Sequence, residues 1–407
     1  MAIAGCGGGG DSKKQASATP TPTAAATPAL TDALERPAAD TLAAGITEPN
    51  ANLVWAGREV PEPFARWRDA LAGIHPEVYR LVLYWPALQP ARNSPPDFDA
   101  VNGGCLRDKP PCAPFTTNDQ LRALASRQAQ GGWEALVVVA GTPDWAARPA
   151  SGCERSGTSA RNRMPRADAL TAYRELVKST LAAADRAGAR LRYWSPWNEP
   201  NHPFSSSPQR ARCTGASDSV SAPPYVEVAG ALRRALDEAP GDQRFVVGEL
   251  AALVSRKRST TTVAEFARGL PVGLVCGAAA WSQHAYIGGA DVLRDVEAAL
   301  RAKGCDDKPV WITETGAGAA RTGTARGGGA AGEKRGCEAL HRQLKAWYAD
   351  PRVTAAIQYT LREDDLFPTG LVTTDLARAY PALAEWRQWG MTARPRPTDP
   401  APASAAC

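Results

Sequence analysis

The chain has 407 residues, a formal net charge of +5, 44% apolar and 22% charged residues. That length suits one large α/β barrel or two medium domains, and the weak, dispersed charge argues against a nucleic-acid partner, which calls for an extended basic surface. No stretch of about twenty apolar residues exists to make a helical membrane span.

In chain order, the first feature is Ile3-Ala4-Gly5-Cys6, followed by Gly7 to Gly10, Asp11 and Ser12. It resembles a bacterial lipobox in which Cys6 is acylated, although the charged and apolar parts of a signal peptide are missing ahead of it. The other reading is a stray cysteine in a tail. Residues 16–37 are rich in Ala, Thr and Pro, the composition of a solvated tether. Residues 1–37 are therefore expected to be a lipoprotein-like, disordered tether. It would make the protein extracellular or cell-surface, with a lipid anchor at Cys6 as its only membrane contact.

From Leu42 onward, short apolar runs alternate with amphipathic stretches. Candidate strands are Leu42–Ile46, Val78–Tyr84, Ala135–Ala140, Leu191–Trp197, Phe245–Val247, Ala279–His284, Val310–Thr313 and Ala355–Thr360. Between them, Ala169–Ala187 sets Leu170, Tyr173, Val177, Leu181 and Ala184 on one helix face, with Gly188 to stop it. Asp291–Lys303 does the same with Val292, Val296 and Leu300. Strands interleaved with helices pair in parallel, and eight such strands close a (β/α)8 TIM barrel, here expected as one domain over 38–393. The rival is an open doubly wound sheet. It would show a Gly-rich phosphate loop after its first strand, and Ala43-Ala44-Gly45-Ile46-Thr47-Glu48 is not one. The segment 394–407 carries four prolines before Ala403 and reads as a disordered tail or a surface strap.

Without Cys6, eight cysteines remain: Cys105, Cys112, Cys153, Cys213, Cys276, Cys305, Cys337 and Cys407. None has the short paired spacing of a zinc site, and an even number suggests disulfides, as in exported proteins. Cys105 and Cys112 flank a Lys109-Pro110-Pro111 turn that brings them close. Cys153–Cys213 and Cys276–Cys305 are further candidate pairs.

Two candidate strands end by delivering a glutamate: Leu191-Arg192-Tyr193-Trp194-Ser195-Pro196-Trp197-Asn198-Glu199-Pro200-Asn201, and Pro309-Val310-Trp311-Ile312-Thr313-Glu314-Thr315-Gly316. In a parallel barrel all C-terminal strand ends meet on one face, so the two carboxylates can converge. Such a pair is what acid/base-plus-nucleophile cleavage of a glycosidic bond requires. With His284-Ala285-Tyr286 between them, the WNEPN and ITETG motifs resemble those of the clan A retaining glycoside hydrolases, close to families 5 and 39. The similarity follows the element order over 42–389; its sharp motifs cover a few dozen residues.

The resemblance implies β-glycoside cleavage by double displacement, with a poly- or oligosaccharide substrate, no metal or organic cofactor, and a monomer. It makes Glu199 the acid/base and Glu314 the nucleophile. The two carboxyls would lie about 5–5.5 Å apart, and an ionised Glu314 would help keep Glu199 protonated. It assigns Asn198 to the sugar 2-hydroxyl, against an alternative as a turn cap. Tyr286 would orient the nucleophile, or pack at the mouth. His284 would touch substrate or acid, or be a core histidine. Arg80 interrupts an apolar strand and must find a carboxylate or reach solvent; the resemblance sets it beneath the nucleophile.

Two departures stand out. The loop after the third strand reads Gly141-Thr142-Pro143-Asp144-Trp145-Ala146, in the family 39 style. The eighth strand ends Gln358-Tyr359-Thr360-Leu361-Arg362, so Tyr359 or Gln358 replaces the usual floor tryptophan. Trp85, Trp145 and Trp197 are candidates to stack on a pyranose, or else packing. Glu249 is the competing catalytic carboxylate, ranked below Glu314. Asp144 and the Glu363-Asp364-Asp365 run border the same face, the run being a solvated loop by default. Long loops at 148–163 and 202–224 shape the cleft and leave endo or exo action, and the glycan, open.

Two other classes compete. A non-catalytic carbohydrate-binding barrel typically loses one carboxylate, and both are present. A metal-dependent hydrolase wants several inward His and Asp ligands, whereas the chain has only His75, His202, His284 and His341.

Overall fold

The computed structural model describes residues 30–318, 329–364, 367–392 and 401–407. Cys6, the composition-biased residues 16–29, and Asp365 lie outside the described residues. In chain order the elements are α1 (Leu30–Glu35), β1 (Ala43–Thr47), α2 (Phe64–Ala72), β2 (Val78–Tyr84), α3 (Trp85–Leu88), α4 (Thr117–Gln130), β3 (Glu134–Ala140), α5 (Leu170–Ala187) and β4 (Tyr193–Ser195). They continue as α6 (Ala222–Asp237), β5 (Arg244–Leu250), α7 (Val263–Arg268), α8 (Val272–Cys276), β6 (Ala280–His284), α9 (Leu293–Ala302), β7 (Val310–Thr315), α10 (Gly329–Ala349), β8 (Val353–Tyr359) and α11 (Ala382–Thr392).

The strands form a closed barrel in sequence order, every pair parallel, with β8 closing on β1 from Ala43↔Ala355 to Thr47↔Tyr359. This is the (β/α)8 architecture expected from the alternation, not an open sheet. Strands buried on both faces read as continuous apolar runs, as in Leu136 to Val139. One set of side chains, including Ala43, Val78, Leu136, Val138, Tyr193 and Trp311, fills the barrel interior, and the alternate set packs under the helices. Gly45 is required there: a Cβ would sit 2.8 Å from both Ile357 and the Val78 carbonyl.

Helix α5 begins and ends where its pattern predicts, with Gly188 at φ 77° turning the chain out. By contrast, the segment assigned to the tether is structured from Leu30. Helix α1 plugs the N-terminal mouth of the barrel through Leu34, which is fully buried, and the Leu34 carbonyl accepts from Trp311 Nε1 at 3.0 Å and Thr354 Oγ1 at 2.8 Å. Glu35 fastens the same helix to the Tyr193 hydroxyl at 2.9 Å and to Arg244 at 2.5 Å. One buried leucine contributes roughly 2 kcal/mol, enough to anchor a short helix whose polar neighbours hide it in a composition scan.

Four disulfides are present: the three candidate pairs, and Cys337–Cys407. The last binds the chain end to α10, where the Ala406 N–H also donates to Glu385 at 2.7 Å, so residues 401–407 form a strap. On the C-terminal face, Cys153–Cys213 joins the loops after β3 and β4. The loop after β2 is drawn to the loop after β8 by Arg107 and Asp364 at 2.6 Å. No described helix is long and apolar enough to cross a membrane.

Candidate active site

The middle of β2 and the C-terminal ends of β4, β5, β6 and β7 each bring a polar side chain to one point. On β2, period two sends Val78, Arg80, Val82 and Tyr84 to the interior. Arg80 is thereby buried with charges around it: Nη2 lies 2.6 Å from Glu249 and 2.6 Å from Asn198 Oδ1, and Nη1 is 2.9 Å from Glu314.

Just past β4, Glu199 adopts φ 44° and its N–H donates to the Glu249 carbonyl at 2.9 Å. Asn201 completes the turn, its amide making reciprocal 2.9 Å bonds with the Ala251 backbone. The asparagine two residues after the acid thus locks the β4 turn to the end of β5. Asn198 must present its oxygen to Arg80, because a guanidinium only donates. Its Nδ2–H groups are consequently the side offered to the cleft.

Glu314 is held from two sides. The Tyr286 hydroxyl donates to Oε2 at 2.6 Å and Arg80 pairs with Oε1. His284 stands between the carboxylates: Nδ1 is 3.0 Å from Glu199 and 3.2 Å from Glu314, and Nε2 is 3.1 Å from Glu249. One oxygen of Glu199 and one of Glu314 lie within 4.8 Å of each other. Both carboxylates therefore face the same small space at the barrel mouth. The side chains are 23% and 9% exposed, open enough for contact with a ligand and dry enough for strong electrostatics.

The charges settle unevenly. Burial pushes the Glu199 carboxyl up, but the hydrogen bond and charge of His284 outweigh it, and the net shift is downward. Burial likewise opposes charge on His284, yet the Glu314 charge and the bonds to Glu199 and Glu249 raise the imidazole to about 10. Glu199 is thus shifted down and His284 up, each toward its charged form by the other.

The aromatic candidates separate. Trp85 and Trp197 are fully buried, with Nε1 bonded to Gln89 Oε1 at 2.9 Å and the Ser205 carbonyl at 2.8 Å. Trp85 follows Tyr84 and so faces outward, packing edge-on against Trp145 and Tyr173. Neither indole is available to a sugar. Trp145 is half-buried, bonded to the Gln89 carbonyl at 3.0 Å. Gln358 points into the helical layer, where it accepts from Trp386 at 2.6 Å, which leaves Tyr359 as the residue facing the site.

Tyr84, 44% exposed, and Phe204, 63% exposed and 5.0 Å from His202, were not singled out from sequence. Period two from Arg80 was the signal for Tyr84. Asp144 is exposed beside Arg161, and Asp364 is engaged by Arg107.

A cleft of about 420 Å³ runs from this centre along β1 and β2, lined by Thr47, Arg80, Tyr84, Val101, Phe115 and Tyr359. A larger cavity of about 780 Å³ lies between the ends of α5 and α6 on the opposite face. Four of its charges pair, Lys178 with Glu238 and Arg192 with Asp242, each at 2.7 Å.

Glu199, His284 and Glu314 also have the spacing of metal ligands. The Glu314 oxygens already face Arg80 Nη1 at 2.9 Å and the Tyr286 hydroxyl at 2.6 Å. Cys337, Glu385 and Cys407 are similarly close, but both sulfurs are in a disulfide.

By sequence, the chain matches no protein-family model and no curated protein. By structure, it shares its fold with a family 39 glycoside hydrolase from Bacteroides cellulosilyticus WH2, at TM-score 0.51 and 14% identity over 87% of this chain and 64% of that one. A glucosidase from Croceicoccus marinus gives 0.54 and 12%, covering 89% and 69%. A GH30 endoxylanase from Clostridium papyrosolvens C71 gives 0.51 and 12%, covering 89% and 74%. The chain thus shares its barrel fold with these proteins, and spans 64% of the family 39 structure's length.

Proposed function

We propose that the protein is a retaining glycoside hydrolase of the clan A type, exported, that cleaves a β-linked sugar by double displacement. The carrying observation is the pair Glu199 and Glu314, with oxygens within 4.8 Å at the barrel mouth and Arg80 and Tyr286 both aimed at Glu314.

In this reading Glu314 attacks the anomeric carbon. Arg80 and Tyr286 fix its orientation and stabilise its anion, so it is poised before substrate arrives. Glu199 gives a proton to the leaving oxygen and later takes one from the water that releases the glycosyl group. Asn198 offers Nδ2–H groups to the sugar 2-hydroxyl, a bond that strengthens toward the transition state. Tyr359 and Tyr84 supply ring faces along the cleft; half-buried Trp145 and exposed Phe204, which lies against His202, are further faces for a sugar. Disulfides persist in oxidising compartments, which supports export; a lipid anchor at Cys6 would keep the protein at the cell surface.

The test is product release from aryl β-glycosides and β-linked polysaccharides, wild type against Glu314→Gln. Hydrolysis of at least one substrate, reduced by 10³-fold or more in the variant (about 4 kcal/mol of transition-state stabilisation), supports the reading. Hydrolysis that survives the substitution, or glycan binding without turnover, refutes it.

A further inference from the structure

Glu249 has no part in a two-carboxylate reaction, yet the fold goes to some length to place it. Gly248 at φ 117° and Glu249 at φ 58° form a bulge in β5, where the register against β6 slips between Gly248 and Leu250. A side chain at 248 would meet the Ser282 carbonyl at 2.3 Å. A glutamate in the left-handed region costs of order 1–3 kcal/mol, and the bulge turns its side chain into the barrel.

There the carboxylate is fully buried and surrounded by donors: Arg80 Nη2 at 2.6 Å, Arg80 Nε at 3.1 Å, His284 Nε2 at 3.1 Å, and the Ser282 hydroxyl, itself 2.7 Å from the Thr313 hydroxyl. Burial alone would raise its pKa, but the Arg80 charge and the His284 bond hold it well below the usual carboxylate range. A carboxylate that stays ionised only accepts, so His284 Nε2 must carry its hydrogen. The proton that varies is then the one on Nδ1, which faces both Glu199 and Glu314.

We propose that Glu249 is a positioning residue that pins His284 by Nε2–H and thereby makes Nδ1 a proton store for Glu199. The acid proton is then shared between His284 and Glu199. This rests on the glycosidase reading for its purpose, but not for its geometry.

The steps balance. In glycosylation the Glu314–C1 bond forms as the C1–O bond breaks. One proton passes from His284 Nδ1–H to Glu199 and from Glu199 to the leaving oxygen, which leaves Glu199 ionised and His284 neutral. Glu314 loses its charge as it bonds, which removes one of the anions holding the imidazolium and favours that transfer. In deglycosylation water adds to C1, its proton returns through Glu199 to Nδ1, and the Glu314 carboxylate is restored. The charged and titratable groups around His284 are Glu199 after β4, Glu249 on β5, Glu314 on β7, Tyr286 after β6 and Arg80 on β2, with His202 and Tyr359 further out.

The experiment is ¹⁵N NMR of ring-labelled histidine in the full chain, with His284→Asn to assign one signal among four histidines. The wild-type His284 should remain an imidazolium to about pH 10, and in Glu249→Gln it should titrate at least one unit lower. Wild-type His284 that titrates below pH 8, or a neutral form with the hydrogen on Nδ1, overturns the proposal without any variant.

On aryl glycosides, the basic limb of kcat/KM should move down by at least one unit in Glu249→Gln for phenol leaving groups. Dinitrophenyl substrates, which need little protonation, should lose far less. A uniform loss across leaving groups with an unmoved basic limb would be a merely structural effect and overturns the proposal. Absence of hydrolysis on every substrate counts against the enzyme reading alone, since the NMR titration still decides the Glu249–His284 pair.

Discussion

Arg80→Met isolates the charge at the centre of the site. The Arg80 and Glu249 side chains are both 0% exposed and 2.6 Å apart. Removing one partner of such a pair leaves an uncompensated buried charge, which costs about 3–5 kcal/mol. For a barrel of roughly 350 residues the unfolding entropy is about 0.7 kcal/mol/K, so the melting temperature should fall by about 4–7 °C. The assay is calorimetry of wild type, Arg80→Met, Glu249→Gln and the double variant. Since a neutral pair of similar volume is tolerated, the double variant should recover at least half of the loss.

The pH dependence has a definite sign. Glu249 is depressed in the folded state, so its stabilisation is present above its unfolded pKa of about 4.3 and is lost as pH falls through the folded value. The gap between wild type and Arg80→Met should therefore narrow below about pH 4. Additive losses in the double variant, or a gap that is constant from pH 7 to pH 3, would refute the reasoning.

Other expectations follow from the same geometry. His284 is raised to about 10, against about 6.5 unfolded; its stabilisation is complete below the lower value and lost on rising through the higher, by about 1.4 kcal/mol per pH unit. Chemical denaturation of wild type and His284→Gln from pH 7 to pH 10 should show that slope only in wild type. Trp85→Ala should cost about 3–5 kcal/mol of stability, whereas Tyr84→Ala should leave stability within about 1 kcal/mol and raise KM several-fold. Removing Cys337–Cys407, which closes a 70-residue separation, should cost about 4 kcal/mol by chain entropy and leave kcat unchanged.

The barrel was legible because strands buried on both faces read as short apolar runs, and these alternate along the chain with longer amphipathic stretches. The predicted Val78–Tyr84 strand is β2 itself, since Arg80 is the only break in an apolar run. Strand β5 runs from Arg244 to Leu250, past its predicted end at Val247, because the Gly248–Glu249 bulge reads as a turn. A bulge also reverses which face a residue takes, so the strand end made Glu249 a candidate carboxylate while alternation could not place it between Arg80 and His284.

The strand-end glutamates, Arg80, Asn198, His284, Tyr286 and Tyr359 converge on one face as the parallel barrel demands. Trp85 and Trp197 do not, for being next to a strand end says nothing about the side on which an indole lands. Alternation counted from Arg80 would have chosen Tyr84. Helix α1 carries its whole signal in Leu34, too little for periodicity to register.

The most direct test of the central claim is covalent trapping with a panel of 2-deoxy-2-fluoro-β-glycosides, followed by peptide mapping of the labelled protein. The account predicts one stoichiometric glycosyl adduct, on Glu314, that forms in Glu199→Ala when the leaving group is good. An adduct on Glu249, or hydrolysis of a β-glycoside with inversion at C1, would contradict it.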